Sequence, residues 1–143
     1  MKRVGLDTNI FMGIFLEEKE KTEHSLAILQ LLTDGTLEGV VSSISLVEIA
    51  TLFCQKNEDQ KGEKAVSLVR GLPNTTIVDV TPDIAMDIAR LKVTEKLSIA
   101  DAAVLSAAIE MAADAFLTYD NDFAKVKKLR CMKPEDYLKM LEK

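Results

Sequence analysis

Arg3-Val4-Gly5-Leu6-Asp7-Thr8-Asn9 decides how the rest of this chain is read. Residues 3–6 form a short, largely apolar run that stops abruptly at an acid, the pattern of a buried strand. The apolar stretch 10–16 has helical character, and Asp7, Thr8 or Asn9 can cap it. Runs of the same kind recur at 39–42, 76–80 and 115–118, with a weaker fifth at 129–132. Between them lie stretches with helical spacing at 25–32, 45–54, 63–72, 84–91 and 99–111. Strand and helix therefore alternate, which predicts a parallel sheet with helices on both faces, a three-layer α/β/α sandwich. The punctuation agrees: Asp34-Gly35 and Pro73-Asn74 end helices, and Thr81-Pro82 places proline in the first turn of another. A short closing helix is expected at 134–141, begun by Pro134 with Glu135 and Asp136 in its first turn.

A length of 143 residues suits one domain with a continuous core, so residues 1–143 are read as a single unit. With 48% apolar and 29% charged residues, the balance is that of an ordered globular protein. The first acid comes too early for a secretory leader, and no apolar run is long enough for a membrane helix, so a soluble cytoplasmic protein is expected. Cys54 and Cys131 lack metal-site spacing and read as free thiols filling the core. The net charge of −5 argues against holding nucleic acid by bulk electrostatics. Any such grip must be local, and the candidates are Lys125, Lys127, Lys128, Arg130 and Lys133, with Arg90, Lys92 and Lys96 as a second cluster. A solvated helix face explains each cluster equally well.

Four acids carry the functional argument, and each has an ordinary explanation. Asp7 ends the first strand, at the edge where open α/β sheets bind ligands, but it also suits a helix cap. Asp120, in Thr118-Tyr119-Asp120-Asn121-Asp122-Phe123, offers the same choice, with Asp122 as a nearby spare. Glu48 fits a capping box with Ser45, and the apolar positions Leu46, Ile49, Ala50 and Phe53 face away from it. Asp101 can pair with Ser98 as a cap, yet its neighbours Ile99, Ala100, Ala102, Ala103 and Val104 predict a largely buried first turn. A carboxylate there is costly unless paired, hydrogen-bonded or bound to metal.

Two strand ends and two early helix turns can bring these acids together above one sheet edge. Gathered carboxylates either take up protons or bind a hard divalent cation, Mg²⁺ or Mn²⁺. The chemistry suited to such a site is phosphodiester hydrolysis by metal-activated water. His24 is the lone histidine, on a polar helix start, which disfavours histidine or zinc chemistry and predicts a surface position.

Leu6-Asp7-Thr8-Asn9, Ser45-x-x-Glu48-Ile49, Ile99-Ala100-Asp101-Ala102 and Thr118-Tyr119-Asp120-Asn121-Asp122-Phe123 stand together in an order that resembles the PIN-domain family, in particular the VapC-like ribonuclease toxins. The resemblance spans essentially the whole chain. It implies a five-stranded, mainly parallel sheet in the sandwich, with Asp7, Glu48, Asp101 and Asp120 as catalytic metal-binding acids. It further implies that Thr8, Asn9 and Thr118 support those acids by hydrogen bonds. An Mg²⁺- or Mn²⁺-dependent RNase, an RNA substrate, a homodimer and a small antitoxin partner follow from the same resemblance. Two other enzyme classes match less well. A phosphoacceptor receiver needs a second acid beside Asp7 and an acceptor ending its third strand, whereas Asp79 lies inside Val78-Asp79-Val80. A haloacid-type phosphotransferase needs Asp-x-Asp where this chain has Asp7-Thr8-Asn9. The remaining alternatives are an RNA-processing factor without an antitoxin, and a module that keeps the scaffold but binds RNA or protein without cutting.

Overall fold

A computed structural model describes residues 2–143. Five strands, β1 (Lys2–Leu6), β2 (Leu37–Ser42), β3 (Thr75–Val78), β4 (Ala115–Leu117) and β5 (Cys131–Met132), form one sheet in the order β3-β2-β1-β4-β5. Every pairing is parallel, which sharpens the expected "mainly parallel" sheet. Among the described residues seven helices flank it: α1 (Thr8–Phe15), α2 (Lys19–Thr33), α3 (Ser43–Cys54), α4 (Asp59–Arg70), α5 (Ala85–Thr94), α6 (Ile99–Glu110) and α7 (Pro134–Leu141). Among the described residues no helix is long and apolar enough to cross a membrane.

The strand order reverses between β1 and β4, because β1, β2 and β3 run to one side and β4 and β5 to the other. Such a reversal opens a crevice at the carboxyl ends of the two strands, where ligands of open α/β sheets bind. Asp7 leaves β1 at that point, and its backbone N–H donates to the Leu117 carbonyl at 3.0 Å, extending the ladder one residue beyond the strand.

Alternation along the strands builds two cores. Val4, Leu6, Ala115 and Leu117 join Ile10, Phe11, Ile28, Leu32 and Ile49 on one face. Phe116 points the other way, to Leu91, Leu105, Ala108 and Phe123 beneath α5 and α6. Gly5 also faces α6, and a Cβ there would stand 2.5 Å from Ala108 Cβ, so glycine is what lets this helix lie directly on β1.

Several local expectations shift. The third strand ends at Val78, so Asp79 lies just past it, exposed, on the sheet's edge strand. Helix α2 starts at Lys19 rather than residue 25, and Pro82 opens a 3-10 turn that leads into α5. Cys54 is exposed and Cys131 half-buried, so neither is plain core filler. His24 is partly covered, with Nε2 3.7 Å from Glu135 Oε2 of α7. Gly35 closes α2 at φ +82°, in the conformation the Asp-Gly pair predicts, and Pro134 opens α7 as expected.

Candidate active site

Asp7 is 5% exposed, and the turn after β1 aims its carboxylate into the crevice. One oxygen accepts from the Thr8 N–H at 2.8 Å, the other from the Thr118 hydroxyl at 2.7 Å. These bonds favour the charged form, but burial outweighs them, and Asp101 and Glu48 push in the same direction as burial. The Asp7 carboxyl is thereby raised to about 7.

Glu48 reaches the same place from α3. The helix starts earlier than the sequence suggests, with Ser42 as the cap that accepts from the Ile44 N–H, so Ser45 and Glu48 do not form a capping box. Ser45 is fully buried instead, 2.8 Å from the Thr8 hydroxyl, and Glu48 Oε1 lies 2.6 Å from that hydroxyl. Thr8 has one proton to give, and the charged carboxylate is the stronger acceptor. Glu48 is consequently half-buried and held, not a freely solvated acid.

Asp101 stands in the first turn of α6, where its N–H is capped by Ser98 Oγ at 3.1 Å. The cap reading is correct for this pair, but the expected burial is not: Ile99 is 65% exposed, and continuous burial begins only at Ala102. The Asp101 carboxyl is raised above its ordinary range by partial burial first, then by Asp120, with Glu48 and Asp122 adding to it. Asp120 caps a 3-10 turn over residues 121–125 by accepting from the Asp122 N–H at 2.9 Å. Asp122 therefore supports Asp120 through its backbone, while its exposed side chain adds only negative potential.

Thr118 ties the pieces together. Its buried hydroxyl donates to Asp7 and accepts from the Asp120 N–H at 2.9 Å and from Asn9 Nδ2 at 3.3 Å. Asn9 in turn accepts from the Tyr119 N–H at 3.2 Å. Sequence reasoning assigned no role to Tyr119, whose hydroxyl donates to the Lys21 carbonyl at 2.8 Å and accepts from buried Ser25 at 2.9 Å. This side chain pins the segment bearing Thr118 and Asp120 onto α2. Nothing in its sequence neighbourhood signals the contact, because its partners lie 94 and 98 residues away.

The four acids thus lie within electrostatic reach of one another in two overlapping sets, Asp7 with Glu48 and Asp101, and Asp101 with Glu48 and Asp120. Among the described residues none of the four takes part in an ion pair. An uncompensated set of hard oxygen donors fits Mg²⁺ or Mn²⁺. Among the described residues no three acidic, histidine or cysteine side chains close into a ready-made cage. An open site suits Mg²⁺ in particular, which keeps several waters and takes one or two carboxylates together with substrate phosphate.

The PIN domain family model matches residues 4–129. No curated protein matches the sequence. Solved structures with the same fold include VapBC2 from Rickettsia felis bound to a DNA fragment from its promoter, with 18% identity, 92% of this chain and 97% of that chain covered, and a TM-score of 0.70. VapBC-1 from nontypeable Haemophilus influenzae has 19% identity, 94% and 99% coverage, and a TM-score of 0.69. A toxin-antitoxin complex from Klebsiella pneumoniae has 20% identity, 94% and 98% coverage, and a TM-score of 0.64.

Proposed function

The chain belongs to the PIN domain family, and on that premise we propose that it is an Mg²⁺- or Mn²⁺-dependent endoribonuclease, the toxin of a toxin-antitoxin pair. The observation that carries this reading is the buried Asp7 carboxyl, within electrostatic reach of Glu48 and Asp101 and, among the described residues, with no cation paired to any of the three. A metal-free protein holds such a cluster at a cost in stability, and a divalent cation removes that cost.

Asp7 and Asp120 are assigned the principal ion, with Glu48 and Asp101 completing its surroundings directly or through water. The bound cation would activate water and neutralise charge on the scissile phosphate. Thr8 and Thr118 hold Glu48 and Asp7 in fixed orientations, and Asn9 keeps Thr118 and the Tyr119 amide in register. With water as the nucleophile, the products carry a 5′-phosphate and a 3′-hydroxyl. The test is incubation of end-labelled RNAs with the protein and with Asp7→Asn, in Mn²⁺, Mg²⁺ or chelator. Metal-dependent cutting by the unaltered chain alone supports the reading. Cyclic phosphate ends, or equal cutting by the variant, overturn it.

The antitoxin part of the proposal draws support from the solved toxin-antitoxin complexes of the same fold. It also draws on an apolar groove of about 220 Å³ between α1, α2 and α4, lined by Phe11, Ile14, Phe15, Leu29 and Val69. Two further lining residues, Leu26 and Leu68, are 49% and 62% exposed, an apolar edge that a partner's side chains would cover. Co-purification with the product of an adjacent small reading frame, lost in Leu68→Asp, checks it. A homodimer and cytoplasmic location complete the proposal, the former read by sedimentation.

A further inference from the structure

Between Asn121 and Lys133 the chain has five basic residues against one acid, although its net charge is −5. Lys125 Nζ donates to the Lys96 carbonyl at 2.8 Å. Lys125 sits in the turn capped by Asp120, and Lys96 stands two residues ahead of Ser98, the cap of the helix bearing Asp101. The contact therefore bridges the two chain segments that deliver Asp120 and Asp101, and places one member of each basic cluster, Lys125 and Lys96, on those segments. Lys125 spends one of its three N–H donors on this bond and keeps two free. Further along α5 and α6, Arg90 and Lys128 flank a groove of about 230 Å³ whose acids are Asp87 and Glu110. Arg90 is 3.5 Å from Asp87, with both side chains 63% exposed, a weak tie that a phosphate can displace. Arg90 lies on α5 about 6 Å, at ~1.5 Å per residue, before the helix ends at Thr94, two residues ahead of Lys96. The Cα atoms of Lys125 and Lys128 can stand at most ~10 Å apart.

The other side of Asp120 offers a larger groove of about 470 Å³ between β5 and α7. It sets Lys133 and Lys139 against Glu135 and Asp136, and it lacks the link to the Asp101 segment that Lys125 supplies.

We propose that an RNA strand engaged at the acid cluster runs across the face formed by the end of α5 and residues 121–130, with its phosphates held by Lys96 and Lys125 at the rim and by Arg90 and Lys128 beyond. The path rests on the phosphodiester-cleaving reading for where it leads. Its grip is on phosphate, so it sets the position of the strand without reading its sequence.

The test is binding of a short fluorescent single-stranded RNA across a salt series, in an Asp7→Asn background so that cleavage plays no part. Each lost phosphate contact lowers the slope of log affinity against log salt by about 0.7. Arg90→Ala/Lys128→Ala is expected to lower it by about 1.4, uniformly across RNA sequences, and Lys125→Met by about 0.7. Lys133→Ala/Lys139→Ala is expected to leave the slope unchanged. Equal melting temperatures of all variants show that the fold is intact. An unchanged slope in the first two variants, a loss confined to the third, or no RNA binding by the parent protein overturns the path. Slopes that fall as expected in a protein whose unaltered form never cuts RNA support the path and overturn the nuclease reading, so the two fail separately.

Discussion

Asp7 is the residue at which stability and the proposed chemistry oppose each other. Its carboxyl is raised from 3.8 to about 7 in the folded chain, so the folded state binds the proton more tightly than the unfolded one. Stability is then fully present below about pH 4 and is lost as pH rises through about 7, a swing of roughly 4 kcal/mol without metal. Asp7→Asn removes that charge but turns an amide N–H toward either the Thr8 N–H or a Thr118 hydroxyl that already accepts two donors, a mismatch costing about 1–3 kcal/mol. The variant is therefore expected to be more stable than the parent by about 1–3 kcal/mol near pH 8 and less stable near pH 4. Denaturant melts at the two pH values check this, and a difference of constant sign counts against the burial of an ionised carboxylate. Thr118→Val removes the hydroxyl at the junction of Asp7, Asp120 and Asn9. Losing the bond that favours the Asp7 anion raises its proton affinity further, and Mn²⁺ affinity is expected to fall about 10–100-fold in calorimetric titration. Loss of stability with unchanged Mn²⁺ affinity would make Thr118 merely structural.

At the scale of elements, the site depends on how closely α6 lies on β1. Gly5 faces Ala108 so tightly that Gly5→Ala forces the helix outward, at a cost of about 1–3 kcal/mol. Because α6 carries Asp101, the same displacement is expected to weaken metal binding. Gly5→Ala/Ala108→Gly restores the space, and recovery of both melting temperature and Mn²⁺ affinity in the double variant checks the coupling. The start of α6 is a separate matter: Ser98→Ala removes its cap and is expected to cost about 1 kcal/mol. Helix α3 shows how an element can mislead at the sequence level. Its true cap, Ser42, is the last residue of β2, so strand runs into helix with no loop and the register moves three residues from the apparent Ser45 start.

For the whole molecule, a cation held by the acid cluster as proposed would make folding and metal binding one equilibrium. Any cation that binds the folded chain alone raises its stability by mass action, about 2.7 kcal/mol at a hundredfold excess over Kd. Thermal melts in Mn²⁺ are expected to rise strongly near pH 8 and little near pH 5, because protons occupy Asp7 below its raised value and compete with the ion. A Mn²⁺ effect independent of pH would place the ion elsewhere.

The alternation of short apolar runs with helical spacing was enough to determine a parallel α/β/α fold, because strand and helix periodicities are local properties of neighbouring residues. Position after β1 likewise marked Asp7 as a candidate, since strand ends are where such sheets bind ligands, and left a helix cap as the other reading, which Asp7 also fulfils for α1. Only the tertiary structure decided what surrounds the acids. Ser45 and Glu48 look like a cap in sequence, yet both bond to Thr8, 37 and 40 residues away. Tyr119 looks unremarkable, yet it fastens the Asp120 segment to α2. The strand reversal that opens the crevice, and the Lys125 contact that joins two basic clusters, also come from distant segments. Periodicity records which side of an element is buried; which distant side chain it meets there is a property of packing, and no local pattern encodes it.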